Sequence, residues 1–222
     1  MQKRNLLFLS AALLTTTLFV LDACKKDTDD VAPVLTLRGD NPYTVIMRQT
    51  YVDPGFSALD DQEGNISSRV VVSTFDQNLP GTYGISYSVS DNANHAVTAS
   101  RTIIVIATPS ALVASYGVKD STTQNSLYGK SYTQNIFGVG NDSIKFTDFR
   151  GYESYHDTIM GAVTSAGIID VPFQAVFDSS DLSNHTLSGT GYVTEDGIFL
   201  TKRDQNTTQG TDTTFQSYFA RQ

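Results

Sequence analysis

No tryptophan occurs among the 222 residues, and there is one cysteine, Cys24. A single thiol excludes an intrachain disulfide, a cysteine-rich zinc site and a Cys-x-x-Cys redox pair. Histidine is scarce as well: His95, His156 and His185 lie far apart. No His-Glu-x-x-His or similar spacing joins them, so a transition-metal centre is not expected, and they read as exposed turn residues. No G-x-S-x-G elbow accompanies His156 and Asp157, which leaves a hydrolytic triad without support. The adjacent acids Asp60-Asp61 and Glu195-Asp196 sit beside glycines in turns. Glycoside hydrolysis needs carboxyl groups facing each other across a cleft. The chain therefore reads as a non-enzyme. Cations are outnumbered, 15 against 23 acidic residues, for a net charge of −8. Phosphate backbones repel such a chain, so nucleic-acid partners are set aside. Beyond residue 23 there is no long run of apolar residues at helical spacing.

The start of the chain holds what the rest lacks. Met1-Gln2-Lys3-Arg4-Asn5 is basic, Leu6–Val20 is apolar, and Leu21-Asp22-Ala23-Cys24 ends in small residues. That order is a secretory signal layout. The apolar run is 15 residues long, shorter than the ~20 a membrane-spanning helix needs. Leu-x-Ala-Cys resembles a bacterial lipobox, which implies cleavage before Cys24 and acylation of its thiol. The remaining residues carry a net charge of −9, since cleavage removes two cations and one carboxylate. The expected parts are a signal peptide over 1–23 and a lipid-anchored acidic tether over 24–32. Lys25-Lys26-Asp27-Thr28-Asp29-Asp30 resembles the export tag of surface lipoproteins in Sus-type glycan-uptake systems. The expected location is the outer membrane, at the cell surface.

Beyond the tether the chain is rich in threonine, serine, tyrosine, phenylalanine and valine, a composition of strands and turns. Short strand signals fill residues 33–107, among them Val34–Leu37, Tyr43–Met47, Tyr51–Leu59, Arg69–Ser73 and Thr102–Ile106. The clearest alternation places Tyr83, Ile85, Tyr87 and Val89 on one face, with Gly84, Ser86 and Ser88 opposite. About seven such strands predict a β-sandwich. Ala107-Thr108-Pro109-Ser110 reads as a linker. Residues 110–222 predict eight antiparallel strands, closing as a small barrel or a flattened sandwich. The fold class is all-β throughout.

Tyr51-Val52-Asp53-Pro54-Gly55-Phe56-Ser57-Ala58 and Gly81-Thr82-Tyr83-Gly84-Ile85-Ser86-Tyr87-Ser88-Val89-Ser90-Asp91 resemble the bacterial immunoglobulin-like repeat related to the HYR module. The pattern is Y-x-D-P-G-x-x-A, then G-x-Y-x-x-x-Y-x-V-x-D, and it covers residues 31–107. It implies an immunoglobulin-like domain that serves as a spacer, adhesion unit or display platform. The second block resembles the small closing β domains of Sus-associated lipoproteins, through Leu187–Val193, Gly197–Leu200 and Phe215–Phe219.

Two stretches carry candidate chemistry. Asp60, Asp61, Glu63 and Asn65 cluster oxygen donors of the kind calcium prefers. They lack the D-x-D-x-D-G order, and an acidic solvated loop is the plainer reading. Phe149–Asp157 mixes aromatic rings with planar polar groups, the combination that binds sugars. Tyr152 and Tyr155 would stack on a sugar face, while Arg150, Glu153 and Asp157 would hydrogen-bond its hydroxyls. The plainer reading packs these rings into the domain's own core. The expectation is a glycan-binding accessory for neutral polysaccharides, with the second domain as receptor. Its partners would be the membrane, through the lipid, and an outer-membrane transport complex. The alternative is a spacer or docking subunit. No cofactor is expected beyond the lipid on Cys24.

Overall fold

The computed structural model describes residues 28–122, 130–149, 158–179 and 182–222. Cys24 and the candidate residues Arg150, Tyr152, Glu153, Tyr155 and Asp157 lie outside them. All fifteen described strands belong to two β domains.

The first domain is a sandwich. One sheet orders β1 (Val34–Leu37), β3 (Phe56–Asp60) and β4 (Gly64–Asn65). The other orders β2 (Tyr43–Ile46), β7 (Ala96–Ile106), β6 (Gly81–Ser90) and β5 (Val71–Val72), with β2 parallel to β7. The alternation along β6 does what its sequence predicts. Ile85, Tyr87 and Val89 are buried, Tyr83 is half-buried, and Gly84 and Ser86 face solvent. Ile103 and Val105 of β7 and Val45 of β2 complete the apolar layer.

Two sequence expectations are corrected by the sandwich. Tyr51–Leu59 is not one strand, because β3 begins only at Phe56. The five residues before it form a turn: Gly55 has φ 104, which favours glycine, and its N–H donates to Asp53 Oδ1 at 2.7 Å. Likewise Arg69–Ser73 yields only the two-residue β5, because a 3-10 turn occupies Ser67–Arg69.

The second domain is a closed barrel of eight antiparallel strands: β8 (Ala114–Thr122), β9 (Lys130–Val139), β10 (Ser143–Phe146), β11 (Ile159–Val163), β12 (Ile168–Asp178), β13 (Ser183–Val193), β14 (Gly197–Asn206) and β15 (Thr211–Arg221). Each strand pairs with its sequence neighbours, and β15 closes the ring on β8. Of the two alternatives left by the sequence, closure is the one observed.

Ala107, at the boundary between the two blocks, is 5% exposed. Pro109 and Leu112 are buried in a short helix, α1 (Pro109–Leu112), capped by Thr108. The Ala107 N–H donates to Ser165 O at 2.8 Å. Arg48, held at φ 64, reaches across to Ala111 O at 3.3 Å, Glu195 O at 3.4 Å and Thr194 O at 3.5 Å. The near end of the barrel thus rests on the sandwich. Arg48→Ala should cost about 1–2 kcal/mol, the scale of hydrogen bonds to a charged group. Limited proteolysis should then cut within residues 107–113 faster than in the parent; an unchanged digest would show that the junction holds without Arg48.

Candidate functional site

The turn that delays β3 also builds a concave surface. Tyr51, Asp53 and Phe56 form one wall of an open cleft of about 580 Å³, and Phe75, Asp76, Gln77 and Asn78 form another. Val72, Ser73, Thr74 and Ile85 complete the lining. The loop after β5 is drawn over the sheet by backbone and side-chain bonds. Ser73 N–H donates to Ser86 O at 3.0 Å, and Tyr51 N–H donates to Gln77 Oε1 at 3.1 Å. Asp76 Oδ1 accepts from Asn78 N–H at 2.8 Å, which fixes the loop's tip.

Aromatic rings hold one another in place beneath this cleft. Tyr51 meets Tyr43 and Phe75 edge-on, at centroid distances of 5.6 and 5.4 Å, and Phe75 lies 5.7 Å from Tyr83. Such contacts fix ring orientation. Behind them Arg101 is 1% exposed. It donates to Arg38 O and to Tyr51 Oη, the latter at 3.3 Å, and lies 3.6 Å from Asp53. Tyr87 donates to Asp53 Oδ2 at 2.5 Å. Burial, followed by this bond to a carboxylate, pushes the Tyr87 phenol above its ordinary range, so it stays a donor. Asp53 is therefore held from two sides with its carboxylate at the cleft wall.

Inside the barrel, side chains change character along the strands. On β14 Ile198 and Leu200 point inward near the sandwich, then Lys202, Asp204 and Asn206 towards the far end. Likewise β13 runs from Val193 and Leu187 to His185 and Ser183, and β8 from Tyr116 and Val118 to Asp120. Lys202 Nζ donates to both Asp120 oxygens, at 3.1 and 2.9 Å, and to Tyr132 Oη and Phe149 O, each at 2.8 Å. The rings of Tyr132 and Phe149 lie 5.4 Å from that ammonium. Burial, and then the charge of Asp120, raises the Tyr132 phenol well above its usual range.

His185 corrects the sequence reading. It is 3% exposed on β13, with Nδ1 2.7 Å from Asp204 Oδ1 and Nε2 2.7 Å from Ser183 Oγ. The order Ser-His-Asp is that of a hydrolytic triad, and here Ser183 exposes only 1% of its surface. The group is a buried polar network. Alternation along β13 and β14 was the signal for it, because every second residue from 183 to 187 and from 198 to 206 shares a face.

Of the four calcium candidates, Asp60 and Glu63 stay together while Asp61 and Asn65 turn away. Asp60 is 6% exposed, contrary to a solvated loop, and its Oδ1 accepts from Gln62 N–H at 3.1 Å and Glu63 N–H at 2.8 Å. Glu63 accepts from Asn92 and pairs with Arg69 at 2.5 Å. Asp61 is exposed, and Asn65 Oδ1 instead accepts from Ser67 N–H at 3.0 Å.

Residues 35–105 match the family of the bacterial surface protein, Ig-like domain. The first domain is Ig-like. The cleft and the Asp60 turn both belong to this Ig-like domain. No curated protein matches the chain. Nine solved chains align with it, among them the following three. A lipoprotein from Bacteroides thetaiotaomicron is 18% identical, covering 86% of this chain and 100% of that one, with a TM-score of 0.36. CBM51-2 in complex with GlcNAc and INT domains of Clostridium perfringens ZmpB is 16% identical, covering 85% of this chain and 44% of that one, with a TM-score of 0.29. The M60 catalytic domain of the same protein with CBM51-1 and CBM51-2 is 16% identical, covering 86% and 23%, also with a TM-score of 0.29. Superpositions this loose carry no functional weight.

Proposed function

We propose that the protein is a non-catalytic glycan-binding lipoprotein of the outer bacterial surface, serving a Sus-type uptake system. The observation that carries the binding role is the cleft of the Ig-like domain, where oriented rings stand beside convergent carboxylate and amide groups. Apolar walls with a few placed polar groups are the usual make-up of a small-molecule site. Tyr51 and Phe75 supply surfaces for the apolar face of a sugar ring. Asp53, Asp76, Gln77 and Asn78 supply acceptors and donors for hydroxyls. Two acids at the walls and a chain charge of −8 favour neutral glycans over polyanionic ones. The proposed site thus lies in the first domain, whereas the sequence pointed to Arg150–Asp157 in the second. The lipobox at Cys24 and the surface-protein family of residues 35–105 support the location.

The test is affinity electrophoresis against neutral and acidic polysaccharides. Phe75→Ala together with Gln77→Ala should weaken retention by neutral glycans about tenfold, as two contacts of ~0.5–1 kcal/mol are lost. Tyr152→Ala with Tyr155→Ala should leave it unchanged. The reverse pattern would return the site to the barrel loop. Retention by no polysaccharide would favour the docking reading, for which Phe173, Phe177 and Leu182 are the exposed apolar residues, at 64%, 53% and 72%.

A further inference from the structure

We propose that Asp29, Asp60 and Glu63 bind a divalent cation of the calcium type, and that this cation fastens the N-terminal tether to the Ig-like domain. One carboxylate oxygen from each of the three lies within 4.8 Å of the other two. Asp29 belongs to the tether, Asp60 ends β3, and Glu63 lies on the turn between β3 and β4. Neither composition nor spacing would join Asp29 to the other two, because about thirty residues separate them.

The independent observation is Asp60 itself. Its Oδ1 is held by two turn amides, while Oδ2 is buried and has no hydrogen-bond partner. A buried carboxylate oxygen left unmatched is costly, and a cation between it and the neighbouring acids removes that cost. Asp29 also stands within 4.8 Å of Asp91 and His95, so a fourth carboxylate adjoins the group. Arg69, on Glu63, and His95, on Asp91, are the basic groups paired with these four acids. Even with both charged, the cluster keeps an excess of negative charge.

Donor chemistry selects the ion. Asp29, Asp60 and Glu63 offer oxygen alone, which suits a hard cation. The imidazole of His95 is bound to Asp91 at 2.9 Å and is not needed as a ligand. One ligand comes from the tether and two from a turn, an irregular set that calcium tolerates and magnesium, with its strict octahedron, does not. Water would fill the remaining positions. The consequence is mechanical: five residues after Cys24 the chain is pinned to the domain, so the tether cannot swing freely.

The experiment uses the full chain in detergent, stripped with EDTA and titrated calorimetrically with calcium chloride. One calcium per chain should bind in the ~10⁻⁴–10⁻³ M range typical of extracellular modules, with magnesium at least tenfold weaker. Asp29→Asn and Asp60→Asn should each weaken binding at least tenfold, and Asp61→Asn should leave it unchanged. Asp29 bears only on the tether, so its variant keeps the test valid if Asp60→Asn misfolds. Calcium should also slow trypsin cleavage after Lys25 and Lys26 in the parent, but not in Asp29→Asn. No calcium binding, binding that survives Asp29→Asn, or binding without tryptic protection would each overturn the proposal. Glycan retention by the Phe75 and Gln77 variants is scored separately, so either proposal can fail alone.

Discussion

Lys202→Met should destabilise the barrel by about 3–5 kcal/mol, the cost of removing one member of a buried ion pair. The ammonium is 3% exposed and answers both Asp120 oxygens, the Tyr132 hydroxyl and the Phe149 carbonyl. Without it, Asp120 remains buried as a carboxylate whose main counter-charge is gone. Methionine fills the space of the lysine stem, so lost packing contributes little. The measurement is urea unfolding followed by far-ultraviolet circular dichroism, since the chain offers no tryptophan to follow. Lys202→Met combined with Asp120→Leu should recover much of the loss, because apolar replacement of a whole buried pair is often close to neutral. A residual deficit of about 1–3 kcal/mol should remain, from the Phe149 carbonyl and Tyr132 hydroxyl left without their donor. A single variant within about 1 kcal/mol of the parent would show that the network is not what holds the far half of the barrel.

Cys24→Ala should release the protein from membranes almost completely. Each buried methylene contributes ~0.8 kcal/mol, so one acyl chain binds marginally and two or more hold stably. No helix among the described residues is long and apolar enough to cross a membrane. The proposed location depends on the lipid expected on Cys24. Parent and variant are compared by fractionation after a carbonate wash. The parent should stay in the pellet and the variant should move to the supernatant; a variant that stays in the pellet would remove the case for the anchor.

Much of the architecture was legible because strands announce themselves with a period of two. Tyr83 to Val89 shows this in the sandwich, and each of the eight predicted barrel segments overlaps a strand. Closure was not legible, since a ring and a flattened sandwich share the same alternation and differ only in whether Arg221 and Tyr116 meet across the seam. Polar residues misled for a related reason. His185 reads as an exposed turn residue on its own, and the pairing of β13 with β14 sets it against Asp204. The Asp53-Pro54-Gly55 segment announced a family but not its use, because the cleft needs Phe75–Asn78 folded back over it. Asp29 gave no local sign at all.

Closing the barrel has a consequence for life in a crowd. A lipid anchor confines many copies to two dimensions, where neighbours meet constantly and sheet edges invite chain-to-chain pairing. In the barrel every strand already has a partner on both sides, so no backbone row is left to recruit another molecule. In the Ig-like domain, two of the edge strands, β4 and β5, are only two residues long. The barrel thus offers no edge for sheet sharing, whereas the Ig-like domain keeps the four-residue strands β1 and β2 at the edges of its sheets.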